Sequence, residues 1–190
     1  MQRAVLPYSR AKQIELRLGI ISWNIAGKDL TKEDTFIQRI TRDLALSNLD
    51  LIVFGFQEIV ELKLTLMNIN KMMFKCDSIS EDIKKTLQKA LGEEFVCLGY
   101  INMMGLLQII FLRRDRVPEI DWYYHKNWKI KMGGSKAIKI GNKGVVASIF
   151  QLGDFGKFSF TNCHMVHGFK NLEKRIQNFT EATNKLQSIS

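Results

Sequence analysis

Residues 16–25, LRLGIISWNI, are dense in aliphatic and β-branched side chains and predict a buried strand. Thr31 and Asp34 carry an N-cap signature. Phe36, Ile37, Ile40 and Leu44 then recur at helical spacing, so a helix is expected up to about Ser47. Asp50 precedes an unbroken apolar run, LIVFGF, closed by Gln57 and Glu58. The run reads as a short, continuous apolar strand. Residues 62–74 read as helical, and Ser78 with Glu81 forms a capping box that predicts a second helix over 83–91. Residues 95–100 and 106–112 read as adjacent strands. Two more, 143–152 and 157–164, are linked by the Gly153-Asp154 turn, and an amphipathic helix is expected from about Asn171. There is no internal repeat. Strands mixed with helices, with hairpins late in the order, predict one α/β layered domain over 1–190.

Composition narrows the class without naming a function. Of 190 residues, 46% are hydrophobic and 25% charged, which excludes a disordered tail, a collagen-like repeat and a low-complexity linker. Lys and Arg number 28 against 19 Asp and Glu, a net charge of +9. The excess is concentrated. Between Trp122 and Gly153 there is no acidic residue, but there are Lys126, Lys129, Lys131, Lys136, Lys139 and Lys143. Such a surface attracts phosphate esters, nucleic acid or an acidic leaflet, and it also reads as a solvated basic face. Trp122, Tyr123, Tyr124 and Trp128 suit base stacking as well as core packing, so charge alone does not choose a partner. Cys76, Cys97 and Cys163 form no CxxC knuckle and are odd in number, which fits a reducing compartment. The first residues hold no signal-peptide core, and the greasiest stretch, 103–112, is too short to span a bilayer. A cytoplasmic protein is expected, with scope for peripheral contact at membranes.

Candidate chemistry sits at strand ends. Asn24 follows one apolar strand and Glu58 the next. In a layered sheet fold the two could meet in one cleft, where an amide oxygen and a carboxylate suit Mg²⁺ with its retained waters. A turn Asn and a solvated Glu are the plainer alternative. His164 ends a third strand, with His167 three residues on. Zinc held by Cys163, His164 and His167 is set aside, because adjacent residues do not readily face one ion and no fourth ligand is apparent. No Walker loop, dinucleotide fingerprint, nucleophile elbow or kinase signature occurs.

These pieces form a series: Trp-Asn-Ile-Ala-Gly around Asn24, Gly-Phe-Gln-Glu-Ile around Glu58, Gly141-Asn142-Lys143-Gly144, Thr161-Asn162-Cys163-His164, and Glu173-Lys174-Arg175. Over residues 18–186 the order resembles the catalytic domain of the inositol polyphosphate 5-phosphatases, in the endonuclease/exonuclease/phosphatase superfamily. The resemblance implies a four-layer α/β/β/α sandwich and Mg²⁺-dependent phosphomonoester hydrolysis on a phosphoinositide or inositol polyphosphate headgroup. It implies Asn24 and Glu58 as Mg²⁺ ligands and His164 as a hydrogen-bonding partner of the phosphoryl group under attack. Asn142 and Lys143, with Lys136 and Lys139 in the preceding loop, would contact headgroup phosphates. Gly141 and Gly144 would let the backbone approach a phosphate.

Departures accompany the match. His164-Met165-Val166-His167 stands where the family has His-Leu-Ala-Ala, and Arg175-Ile176-Gln177-Asn178-Phe179 replaces Arg-Asn-x-Asp-Tyr. The family's Gly-Asp-Leu-Asn-Tyr-Arg, Pro-Ala-Trp-Cys-Asp-Arg and Ser-Asp-His motifs have no counterpart in this sequence. The expectation is therefore a domain without its C-terminal third, weak or inactive by itself. A non-catalytic phosphoinositide-binding remnant is the first alternative. A superfamily nuclease is the second, disfavoured by the Gly-Asn-Lys-Gly element.

Overall fold

The computed structural model describes residues 15–30, 48–60, 69–131 and 143–188. Its elements are β1 (Leu18–Asn24), β2 (Leu51–Gln57), α1 (Ile69–Leu91), β3 (Phe95–Met103), β4 (Leu106–Arg113), β5 (Ile120–Lys131), β6 (Gly144–Leu152), β7 (Gly156–His164) and α2 (Leu172–Gln187). One sheet has the order β1-β2-β4-β3 and the other β5-β6-β7. β1 and β2 are parallel, and every other pairing is antiparallel.

Strand alternation shows how the layers stack. On β2, Ile52, Phe54 and Phe56 join one core with Leu107, Ile109 and Phe111 of β4 and with Cys76, Ile83, Leu87 and Leu91 of α1. The opposite parity, Leu51 and Val53, joins Ile110 and Leu112 in a second core with Phe150 and Leu152 of β6. Ile130 and Val145, on the outer face of the second sheet, pack with Ala182 of α2. The order is therefore α1, first sheet, second sheet, α2, the mixed α/β sandwich expected. β2 is buried throughout because a layer covers each of its faces.

Two sequence expectations change. Residues 31–47, where the first helix was placed, lie outside the described residues, as do residues 62–68 of the next expected helix. The capping box at Ser78 is overturned: α1 runs unbroken through it. Cys76, Ser80, Ile83, Leu87 and Leu91 form one continuous stripe at i+3 and i+4, all buried. Packing of that stripe outweighs a local cap, and Ser80 Oγ donates back to the Cys76 carbonyl at 2.7 Å. The second change is β5, which occupies part of the basic segment as a 12-residue strand.

At the end of the first sheet where β2 begins, Asp50 is fully buried. Its Oδ2 accepts the Arg17 backbone N–H at 2.9 Å, and its Oδ1 lies 3.0 Å from Arg113 Nη2 and 3.7 Å from Arg116 Nε. Burial alone would raise this carboxyl, but the Arg17 backbone and side chain and the Arg113 charge hold it below the usual carboxylate range. Among the described residues, no helix is long and apolar enough to cross a membrane.

Gly144 has a packing role of its own. A Cβ there would collide with the Ile130 carbonyl oxygen and the Met103 methyl. The second glycine of Gly-Asn-Lys-Gly is thus needed for β6 to approach β5, whatever else binds nearby. Gly144→Ala should lower unfolding free energy by about 1–3 kcal/mol, the range for overpacking a tight core. A denaturant midpoint equal to wild type would contradict it.

Candidate functional site

The β1 and β2 C-termini, the β6 start and the β7 C-terminus converge at the end opposite Asp50. Asn24 pairs with Gln57 across the parallel β1–β2 ladder, so Glu58 is one step beyond its neighbour. Beyond the strands, two turns are tied together: Ile25 N–H donates to the Gln57 carbonyl at 2.9 Å, and Gly27 N–H to the Glu58 carbonyl at 2.7 Å. Asn24 Oδ1 accepts the Ala26 N–H at 3.0 Å, an Asx turn that shapes the loop and leaves the oxygen a second lone pair. Ala26 and Glu58 have φ of 52° and 56°, left-handed conformations that are unusual for residues with a side chain. The paired carbonyls hold both turns in that shape.

β7 brings its histidine to the same place. Gly144 and His164 are register partners, which sets Lys143 beside the imidazole. Lys143 Nζ lies 2.5 Å from His164 Nε2, and Glu58 Oε1 lies 3.3 Å from the same nitrogen. One ring nitrogen therefore faces a cation and a carboxylate. It accepts from Lys143 when unprotonated, or donates to Glu58 when it carries the proton. Burial lowers the Lys143 pKa, against the pull of the Glu58 charge. His164 is enclosed, with 14% of its side chain exposed, whereas Glu58 at 41% stays open to solvent.

A buried polar group supports this cluster from below. Gln57 Nε2 donates to Asn162 Oδ1 at 2.6 Å, and Asn162 Nδ2 donates to the carbonyls of Phe56 at 2.9 Å and Leu107 at 3.0 Å. Gln57 Nε2 also reaches Ser22 Oγ at 3.3 Å, and Gln108 Nε2 the Phe160 carbonyl at 3.2 Å. Gln57 and Asn162 stood in the sequence motifs without a role. Their signal was only that they are polar residues inside otherwise apolar strands.

The structure brings Asn24, Glu58, Lys143 and His164 to one end of the sandwich. Asn142, Lys136 and Lys139 lie outside the described residues. Cys163 points away from His164, into the packing with Ile130, Val145 and Ala182, so the two do not face a common ion. Among the described residues no three His, Cys, Asp or Glu side chains form a metal-binding group. What is present for a cation is one amide oxygen with a free lone pair and one solvent-open carboxylate. That donor set fits a hard, water-rich ion such as Mg²⁺ or Ca²⁺ better than zinc.

Comparison with known proteins adds the following. Residues 21–189 match the endonuclease/exonuclease/phosphatase family 2. The chain is 25% identical over 179 residues to a probable inositol polyphosphate 5-phosphatase of Schizosaccharomyces pombe, covering 82% of this chain and 14% of that protein. The fold resembles the inositol polyphosphate 5-phosphatase domain of spSynaptojanin, solved with inositol (1,4)-bisphosphate and calcium. There the TM-score is 0.61 at 23% identity, over 87% of this chain and 44% of that one. It also resembles a mutant Cimex nitrophorin in its ferrous NO complex, with a TM-score of 0.54 at 13% identity, over 79% and 46%. The chain thus spans less than half of each of these proteins. A nitrophorin and a phosphatase domain share the architecture, so the fold alone does not determine function.

Proposed function

The chain belongs to the endonuclease/exonuclease/phosphatase family 2, and from that membership we propose a metal-assisted phosphomonoesterase site of the inositol polyphosphate 5-phosphatase type. The observation that carries this is the cluster in which Glu58 and Lys143 both reach His164 Nε2 at a shared end of two sheets. Asn24 and Glu58 would hold the divalent ion, which when bound counters charge on phosphoryl oxygens. His164 is placed to donate to a phosphoryl oxygen when its Nε2 carries the proton. Lys143, next to it, supplies positive charge for a neighbouring phosphate. The enclosure of His164 strengthens such a contact by excluding water around it.

The proposed substrate is a phosphoinositide or inositol polyphosphate headgroup, approached at a membrane surface or free in solution. Glu58 is the one carboxylate of the described cluster and is already assigned to the metal. No second carboxylate there is placed to accept a proton from water, so slow turnover is expected of this chain alone. A headgroup-binding role without turnover is the second reading, favoured by the same single-carboxylate cluster.

Phosphate release from a soluble inositol polyphosphate, with Mg²⁺ and with chelator, tests the proposal beside nicking of duplex DNA. Slow Mg²⁺-dependent release without nicking supports it. DNA cleavage without phosphate release would replace it with a nuclease, and tight headgroup binding with no release would select the binding role. Affinity for phosphoinositide vesicles gives a second measurement. Lys143→Ala should cost about 1.5–3 kcal/mol there, the range for a hydrogen bond to a charged group. Lys126, exposed on β5, should cost under about 1 kcal/mol. Equal small losses that vanish with salt would mean a diffuse basic surface.

A further inference from the structure

We propose that Asn162, received by Gly55 and bonded to Gln57, is a positioning residue that sets the His164 imidazole against Glu58. This builds on the functional reading above only in taking those two side chains as the working pair.

The two sheets meet mainly through apolar contacts. On β7, Phe158 and Phe160 pack against Phe150 and the inter-sheet core. Such packing sets the spacing between layers but is non-directional, so it resists sliding of one sheet over the other only weakly. Asn162 supplies the missing direction. Its side chain leaves β7 on the same face as Phe160 and His164 and is 6% exposed.

Phe56 and Leu107 are register partners on β2 and β4, and the Asn162 amide nitrogen donates to both of their carbonyls. Its oxygen accepts from Gln57. A flipped amide would set its oxygen against two carbonyls and its NH₂ against the Gln57 donor, so the arrangement has one orientation. Three bonds to two strands fix β7 laterally on the first sheet.

The ends of this latch adjoin the working pair. Gln57 precedes Glu58 by one residue, and Asn162 precedes His164 by two. The 2.6 Å Gln57–Asn162 bond therefore holds the strands that carry Glu58 and His164, whose side chains lie 3.3 Å apart. Gly55 is the seat. A Cβ at that position would lie 3.1 Å from Asn162 Cγ and 3.3 Å from its Oδ1. The glycine and glutamine of Gly-Phe-Gln-Glu and the asparagine of Thr-Asn-Cys-His, which the metal and phosphate assignments leave unused, thus form one device.

The test reads the His164 ring directly, by its NMR carbon and nitrogen signals, assigned through His164→Gln. Wild type, Asn162→Ala, Gly55→Ala and the double variant are compared. Val53→Ala serves as the control, since it removes volume from the same inter-sheet core without touching the latch. Asn162→Ala and Gly55→Ala should each displace the His164 signals, and Val53→Ala should leave them in place despite its own loss of melting temperature. The double variant should match Asn162→Ala, because truncating Asn162 makes room for the methyl group that Gly55→Ala adds. Gly55→Ala deletes nothing and carries the test if Asn162→Ala does not fold.

Unmoved His164 signals in a folded latch variant would overturn the proposal. So would an equal displacement in Val53→Ala, or strictly additive displacements in the double variant. The readout needs no turnover. Absent phosphate release with displaced signals would reject the phosphatase reading and keep the latch, while release with unmoved signals would do the reverse.

Discussion

Asp50→Ala should destabilise the fold by about 3 kcal/mol, at the lower edge of the range for removing one partner of a buried ion pair. For a chain of this size that is a fall of roughly 6–12 °C in melting temperature. Two losses combine. The Arg17 backbone N–H, 2.9 Å from Oδ2, loses its acceptor, and three guanidinium groups lose the anion that gathers them. The effect stays near the lower edge because Arg113 and Arg116 keep about a quarter of their side-chain surface in water. Asp50→Asn should cost less, since the amide oxygen can still accept from Arg17.

The same carboxyl gives a pH dependence with a definite sign. Its folded pKa is below the ordinary value of 3.8, so its contribution is fully present above the unfolded pKa. That contribution disappears as pH falls through the lower folded value. Wild type and Asp50→Ala should therefore differ most at neutral pH and converge below about pH 4. Unfolding curves over that range decide it. Equal melting at pH 7, or a gap that persists undiminished in acid, would count against the clamp.

Sequence pattern predicted the first sheet well, for a reason visible in β2. Its two neighbours and both covering layers are apolar, so Leu51–Gln57 shows as an unbroken hydrophobic run. β5 did not show itself. Its lysines and aromatics give no clean alternation, and its register against β6 shifts between Asp121 and Lys126, which breaks the period of two. Ser78 misled in the other direction. The local cap was genuine as a pattern, but the stripe from Cys76 to Leu91 extends across it, and burial along a whole face outweighs one terminal hydrogen bond.

The site divides in the same way. Asn24, Glu58 and His164 were legible because each ends an apolar strand, where sheet folds present polar groups. Asn162 was not, since an asparagine in a strand ordinarily reads as solvent-facing. Only the packing of the second sheet brings it to Gln57, 105 residues away in the chain. Asp50 was hidden for a related cause: Arg17, Arg113 and Arg116 form no local pattern and meet only where the starts of β1 and β2 and the end of β4 come together.

His164→Ala should lower kcat for phosphate release by about 10²–10³-fold, the range for losing one preorganised donor to a charge-bearing oxygen. The imidazole is mostly enclosed and shares Nε2 between Lys143 and Glu58, so its orientation is set before substrate arrives. Preorganisation of that kind acts in the transition state more than in the ground state, and the loss should fall on kcat with little change in KM. Lys143→Ala should divide differently. A lysine that meets a headgroup phosphate contributes to substrate and transition state alike, so KM should rise more than kcat falls. Because Lys143 also touches Nε2, combining the two substitutions should cost less than the sum of their separate free energies. Single-turnover assays with chain in excess over a soluble inositol polyphosphate make even slow chemistry measurable. A His164→Ala variant with kcat near wild type would remove the imidazole from the reaction, and strict additivity with Lys143→Ala would remove the contact between them.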